Sequence, residues 1–270
     1  MDRANPDRWS AVAADWSELW GGFAGPAWDA VVTATGIGPG SRVLDVGCGS
    51  GELLAYLGRL GASPAGVDPA PGMVELARSR VPAADVRPGT FEHLPWPDGS
   101  FDVVTAFNAL QFADDTLDAL AEGTRVARPG GHVAVANWAE GDRNDLNTLE
   151  AAVATAAGEA LLPDGDLRQP GGLERLLADA GLVDVTGGLA ELPWEVPDDD
   201  TLVRGCSWAR TRPRRRPPHQ RCWPPPARSA PPPAATASTT CSASPSAVRR
   251  PERAPVALGN SGRDVARSRR

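Results

Sequence analysis

The stretch VLDVGCGSGE, Val43 to Glu52, ends an apolar run on an acid, Asp45, and then sets glycine at every second position: Gly47, Gly49 and Gly51. RVLDV has the aliphatic, β-branched content of a buried strand, and GELLAYLGRLG after it has helical spacing. Strand, glycine turn and helix in that order open a parallel α/β unit. Glycine lets the connecting backbone adopt conformations, and admit a ligand at distances, that a Cβ would obstruct.

Outward from that loop the alternation continues. PAGVD reads as a strand, PGMVELARSRV as a helix, ADVRPG as a weak strand and FDVVTAFNAL as a strand with its exit; DDTLDALAEGTRVARPGG reads as a helix ending in a Gly-Gly turn, and HVAVANW as another strand. Short strands separated by helices imply right-handed crossovers, so the expected fold class is α/β: a doubly wound, mostly parallel sheet with helices on both faces. Residues 140–180 read as a helical insertion, Asp145 to Ala160 and Leu173 to Ala180, and GLVDVTGGLAELPWEV as a longer strand with a Gly-Gly bend. After Asp200 the periodicity stops. Upstream, Asn5-Pro6 is a helix opening, a capping side chain followed by a residue whose missing N–H costs nothing there. Trp9, Val12, Trp16, Leu19 and Trp20 recur at helical spacing as one aromatic stripe, which either docks on the core or forms a lid over a cavity. The organisation expected is a helical lid segment over 1–40, a main domain over 41–203 and a tail over 204–270.

Composition separates that tail from the rest. Residues 1–203 hold 12 Arg against 32 acids and 204–270 hold 15 Arg against two, so a net charge of about −20 sits beside about +13. No apolar run reaches the ~20 residues of a membrane helix and the start lacks a signal-peptide plan, so a cytoplasmic protein is expected. Of the four cysteines, Cys48 lies in the glycine stretch and Cys206, Cys222 and Cys241 in the tail, with no CxxC pair; no metal site is expected.

The spacing GxGxG differs from the GxGxxG of dinucleotide loops, and Glu52 at the head of the next helix would repel a phosphate. Asp68 ends the second strand 17 residues after Gly51, where a carboxylate accepts hydrogen bonds from ribose hydroxyls. A nucleoside ligand that is not an anion satisfies both features.

VLDVGCGSG, GVDPAPGMVELAR, LPWPDGSFDVVTAFNALQF and EGTRVARPGGHVAV stand in the order and spacing of the class I S-adenosylmethionine-dependent methyltransferases, type-11 branch. The chain resembles that family over roughly Trp9 to Val196. The resemblance implies S-adenosyl-L-methionine as cofactor, with Asp45, Gly47, Gly49 and Gly51 around its methionine end, Asp68 on the ribose hydroxyls, and Pro69 and Met73 around the adenine. Many relatives carry an acid where this chain has Gly89-Thr90, so Thr90 and the Phe91 backbone are expected to take that role with weaker adenine recognition. Glu92 and His93 are further candidates nearby, with exposed loop residues as the preferred reading of both. Asn108 to Phe112 faces the cofactor in the family, and Asn108 joins the expected cofactor site; relatives often have histidine at Gln111, which here cannot act as a base but can orient an acceptor.

Methyl transfer needs alignment and exclusion of water more than a dedicated acid or base, so no catalytic residue is assigned. Gln111, Trp16, Trp20 and Trp138 are the candidates for positioning substrate, and an aromatic-walled pocket favours a small aromatic or apolar acceptor. The acidic main domain argues against nucleic acid as partner. A cofactor-binding protein of the same fold without turnover is the alternative.

The tail admits three readings: a basic arm for nucleic acid or acidic partners, a proline-rich docking segment, or a shifted reading frame beginning near codons 203–206, which is preferred. The family normally closes with a helix and an antiparallel strand between the fifth and sixth strands. With Arg and Pro in their place, the last strand is expected to be missing and 204–270 mostly unstructured.

Overall fold

The computed structural model describes residues 5–156, 158, 163–210, 238–243 and 254–260. Helix α1, Pro6–Trp20, begins where the Asn-Pro signal places it: the Asn5 side chain accepts from the backbone N–H groups of Asp7 and Arg8 at 3.0 and 3.3 Å. Helix α2, Gly25–Thr35, follows, and then the alternating run: β1 Arg42–Val46, α3 Glu52–Arg59, β2 Ser63–Asp68, α4 Pro71–Arg80, β3 Asp85–Pro88, β4 Phe101–Phe107, α5 Thr116–Val126 and β5 Ala127–Ala136. Strand β5 starts before the Gly-Gly pair instead of after it, with a register irregularity opposite Phe101 and Val103. These five strands pair in parallel in the order β3-β2-β1-β4-β5.

The sheet is buried on both faces, and the period of two along each strand sends neighbours to opposite sides. Leu44, Val104, Val133 and Val135 face one core with Leu120 and Leu177. Val43, Val103 and Ala134 face the other with Trp20, Trp28 and Val31.

Beyond β5 the chain forms α6 Asp145–Ala156, α7 Gly172–Asp179, β6 Val183–Trp194 and α8 Asp199–Arg210. The expected helix to Ala160 is seen as far as Ala156, and residues 157 and 159–162 lie outside the described residues. The insertion is tied back by Arg168, whose Nε donates to the Ala139 carbonyl at 2.6 Å and whose guanidinium pairs with Asp164 at 3.0 Å. The bend expected at Gly187-Gly188 is not where β6 is irregular: those glycines pair in regular register with Ala257 and Val256, and the register shift lies before them, between Val183 and Thr186, where Asp184 has φ of 53°.

Two expectations about the C-terminal quarter are corrected. Periodicity does not stop at Asp200, because α8 crosses the boundary at 203/204: Asp198 caps it, accepting from Thr201 N at 2.7 Å, and Gly205 inside it is buried. The last strand is not missing. Strand β8, Ala254–Asn260, lies antiparallel between β5 and β6, and β7, Ser238–Ala243, pairs with β6 and the start of β8. Average composition concealed APVALGN, seven residues without an arginine. Pairing with β5 begins at Val256, one residue after Pro255, so the absent N–H removes no bond to β5, while on the other side Pro255 stands opposite Leu189 of β6. The other tail readings fall on 211–237, 244–253 and 261–270, outside the described residues.

Candidate active site

A cavity of about 510 Å³ opens beyond the carboxyl ends of β1, β2 and β4, under α1. Its position follows from the topology: strand order reverses between β1 and β4, and the loops leaving those strands part there.

The glycine loop is one wall. Leaving β1, the N–H groups of Gly47 and Cys48 both donate to the Val67 carbonyl, at 2.8 and 3.0 Å, which fastens the loop to the end of β2. Gly47 has φ of 72°, and a Cβ there would stand 2.4 Å from the Cβ of Ala109. Gly49 N donates to Asp68 Oδ2 at 3.0 Å. Gly51 does not line the cavity; it packs α3 on α4, where a Cβ would meet Ala77 Cα at 2.9 Å.

Two enclosed carboxylates face this loop. Asp45 stands on β1 in register with Thr105 of β4, whose hydroxyl lies 2.8 Å from Asp45 Oδ1 and 3.2 Å from the Leu44 carbonyl. Burial pushes Asp45 up to about 7, opposed by the Thr105 hydrogen bond and assisted by the charges of Asp68 and Glu52. Asp68 closes β2 and accepts from Ala70 N at 2.9 Å as well as from Gly49 N; burial raises it to about 6 against those two bonds. Two buried carboxyls beside a bent backbone ionise more readily next to a cation, since an incoming positive charge offsets the cost that burial imposes on their charged forms.

Pro69 and Met73 line the cavity from the start of α4, and Thr90 and Phe91 line it from the loop after β3. Asn108 lies in the left-handed region with φ of 52°, its N–H donating to the Ala136 carbonyl at 2.8 Å. Gln111 stands in a short 3-10 turn, Leu110–Phe112. Both line the cavity, and the side-chain oxygen of each is buried without a hydrogen-bond partner among the described residues. An unpaired buried oxygen costs about 1–3 kcal/mol, which a ligand donor would recover.

The aromatic wall comes from α1 and the end of β5. Trp9 meets Trp16 edge to face at 5.3 Å, Trp16 stacks on Trp20 at 6.1 Å, and Trp138 stands edge-on to Trp20 at 6.2 Å. Trp20 is backed by Trp194 of β6, stacked at 4.0 Å, and its Nε1 donates to the Gly205 carbonyl of α8 at 3.2 Å. Helix α1 is fixed over the loops rather than free: Ser10 Oγ accepts from Gly72 N at 3.0 Å, Ser17 Oγ donates to Glu52 Oε1 at 3.0 Å, and Arg80 pairs with Glu52 at 2.5 Å.

The geometry therefore gathers Asp45, Gly47, Gly49, Asp68, Pro69, Met73, Thr90, Phe91, Asn108, Gln111, Trp16, Trp20 and Trp138 around one space and leaves out Gly51. Sequence reasoning did not select Phe23 or Phe107, which also line it, or Arg80, which ties α1 from outside. Phe107 was accessible through the rule that strand ends face the site; Phe23 sits in GGFAG, where no pattern marks it. His132, at the amino end of the main run of β5, is not part of the lining. Among the described residues no cluster of three metal-ligating side chains occurs and no helix is long and apolar enough to cross a membrane.

The family model described as a methyltransferase domain matches residues 44–135. A ubiquinone biosynthesis O-methyltransferase of Xanthomonas campestris pv. campestris is 37% identical over 174 residues, covering 58% of this chain and 69% of that protein. A malonyl-[acyl-carrier protein] O-methyltransferase of Yersinia pestis is 39% identical over 107 residues, 40% of each chain. The chain spans about two fifths of the length of the first such relatives. A solved SAM-dependent methyltransferase of Thermotoga maritima has the same fold, with a TM-score of 0.54 and 18% identity over 94% of this chain and 98% of that one.

Proposed function

Because this chain belongs to the S-adenosylmethionine-dependent methyltransferases, we propose that it methylates a small aromatic or apolar acceptor bound beside that cofactor in the cavity under α1. The observation that carries the proposal is that one cavity is lined both by the glycine loop with its two enclosed carboxylates and by the tryptophans of α1 and Trp138.

The residues fit the cofactor. Gly47 leaves the volume that a Cβ would fill, Asp45 and Asp68 offer charge to cationic and hydroxyl groups, and Asn108 and Gln111 bring oxygens that lack donors. When bound, S-adenosylmethionine supplies an activated methyl group on a sulfonium. Asp45 would hold its ammonium, Asp68 the ribose hydroxyls, Met73 and Phe91 the adenine faces, and Thr90 the adenine edge. Gln111 would orient the acceptor's nucleophilic atom through its amide, and the tryptophans would keep water from the reacting pair.

The matched family segment, 44–135, excludes Trp9, Trp16, Trp20 and Trp138. The aromatic wall of the cavity thus lies outside the matched segment, whereas Gln111 lies inside it. The two relatives act, by their names, on a malonyl-acyl-carrier protein and in ubiquinone biosynthesis. The aromatic wall here favours a flat ring over an extended carrier arm, and the acidic lining favours a small molecule over nucleic acid.

Calorimetry with S-adenosylmethionine and S-adenosylhomocysteine, followed by transfer of labelled methyl to a panel of phenols, aromatic amines and aliphatic alcohols, tests the proposal. Label appearing in ring-bearing acceptors is the expected result. Cofactor binding with no transfer to any acceptor would reject it in favour of a binding protein without turnover.

A further inference from the structure

The charged lining of the cavity goes further and restricts the acceptor by charge, on the reading above that the acceptor shares the cavity with the cofactor. Among the described residues the charged side chains that line it are all acids: Asp45, Asp68, Glu52, Glu92 and Asp114. No Arg or His among the described residues lines it, and the sequence contains no Lys. Asp45 and Asp68 are the groups assigned to the cofactor. Glu52 is answered from outside the cavity by Arg80. Glu92 and Asp114 form no ion pair among the described residues; Glu92 Oε1 instead accepts from the backbone N–H of Asp114 at 2.8 Å. Glu92 is half-buried and Asp114 exposed, which places their charge toward the opening of the cavity.

A carboxylate or phosphate entering this space would lose its water against an aromatic wall, find no cation among the described residues to replace that hydration, and share the lining with Glu92 and Asp114. A neutral ring meets no such cost. An ammonium group gains from both the carboxylates and the tryptophan faces. We propose that the site selects acceptors that carry no negative charge, and that Glu92 and Asp114 are the residues that reject anionic ones.

The test uses the full chain saturated with S-adenosylhomocysteine and a matched set of phenols bearing a methyl, an aminomethyl or a carboxylate group at the same ring position, with binding read by calorimetry. The methyl and aminomethyl compounds are expected to bind at least tenfold more tightly than the carboxylate. Glu92→Gln, which keeps an oxygen for the Asp114 N–H, combined with Asp114→Asn should narrow the gap between the methyl and carboxylate compounds severalfold by improving the carboxylate, should weaken the aminomethyl compound, and should leave the methyl compound unchanged. Equal binding of the three compounds, failure of any uncharged compound to bind, or a gap unchanged in the double variant overturns the proposal. Labelled-methyl transfer is measured separately on the same set. Binding in the expected order without transfer would reject the methyl-transfer function and leave the charge rule intact.

Discussion

Asp45 concentrates the chemistry of the site in one titration. Its carboxyl is raised to about 7 and that of Asp68 to about 6, each mainly by burial. A cationic ligand binds the ionised forms, so it must displace protons below those values, and affinity for the cofactor is expected to rise from pH 5.5 to 7.5, by up to about tenfold per unit for each group that must ionise. Stability without ligand runs the other way. A carboxyl raised in the folded state favours folding at low pH, and that contribution is lost as pH climbs from the ordinary carboxylate range through about 6 and 7. Melting temperature should therefore fall over that interval, and Asp45→Asn should remove part of the fall and much of the pH dependence of binding, both readable by calorimetry. Asp68→Asn should weaken cofactor binding at least tenfold, because an amide nitrogen would confront the Gly49 or the Ala70 N–H where an oxygen now accepts. That these two acids matter was legible from their places at strand ends. Their proton affinities were not, because burial is a property of neighbours distant in the chain.

Between elements, the glycines separate by role. Gly47→Ala forces a Cβ into Ala109 and a side chain into φ of 72°, so it should both destabilise by about 1–3 kcal/mol and abolish cofactor binding. Gly51→Ala meets Ala77 between α3 and α4, and should cost similar stability while the residual folded protein binds cofactor more nearly normally. Comparing thermal melts with titrations distinguishes the two. Helix α1 shows the same division between legible and hidden. Asn5-Pro6 and the tryptophan stripe fixed the start and the inward face of α1, but the ties to α3 and α4 through Ser10, Ser17 and Arg80 join residues with no mutual signal in sequence. Trp16→Ala should raise the KM for the acceptor several-fold with a smaller change in cofactor affinity. Trp20→Ala, at a ring 3% exposed and stacked on Trp194, should cost about 3–5 kcal/mol of stability, measured by chemical denaturation.

At the scale of the molecule, the C-terminal quarter decides whether the sheet is closed. Strand β8 covers the β5 edge and joins it to β6, and Ala257 within it is buried in the core. Ending the chain after residue 253 should leave β5 with unpaired backbone groups, and the shortened protein should aggregate or melt without cooperativity in light scattering and calorimetry. Helix α8 adds a second dependence, since it supplies the carbonyl that holds Trp20 behind the aromatic wall. The parallel core, the glycine loop and its partner acid were determined by sequence alone, because each is written in contiguous residues whose period, turn chemistry and spacing are local properties. The position of β8 between β5 and β6, the turning of Gly51 toward Ala77, and the meeting of five carboxylates with the tryptophans in one cavity were decided only by the tertiary structure. Composition averaged over a tail cannot show that seven of its residues suit an open slot, and the surroundings of a side chain are set by segments that the folded chain, not the order of residues, brings together.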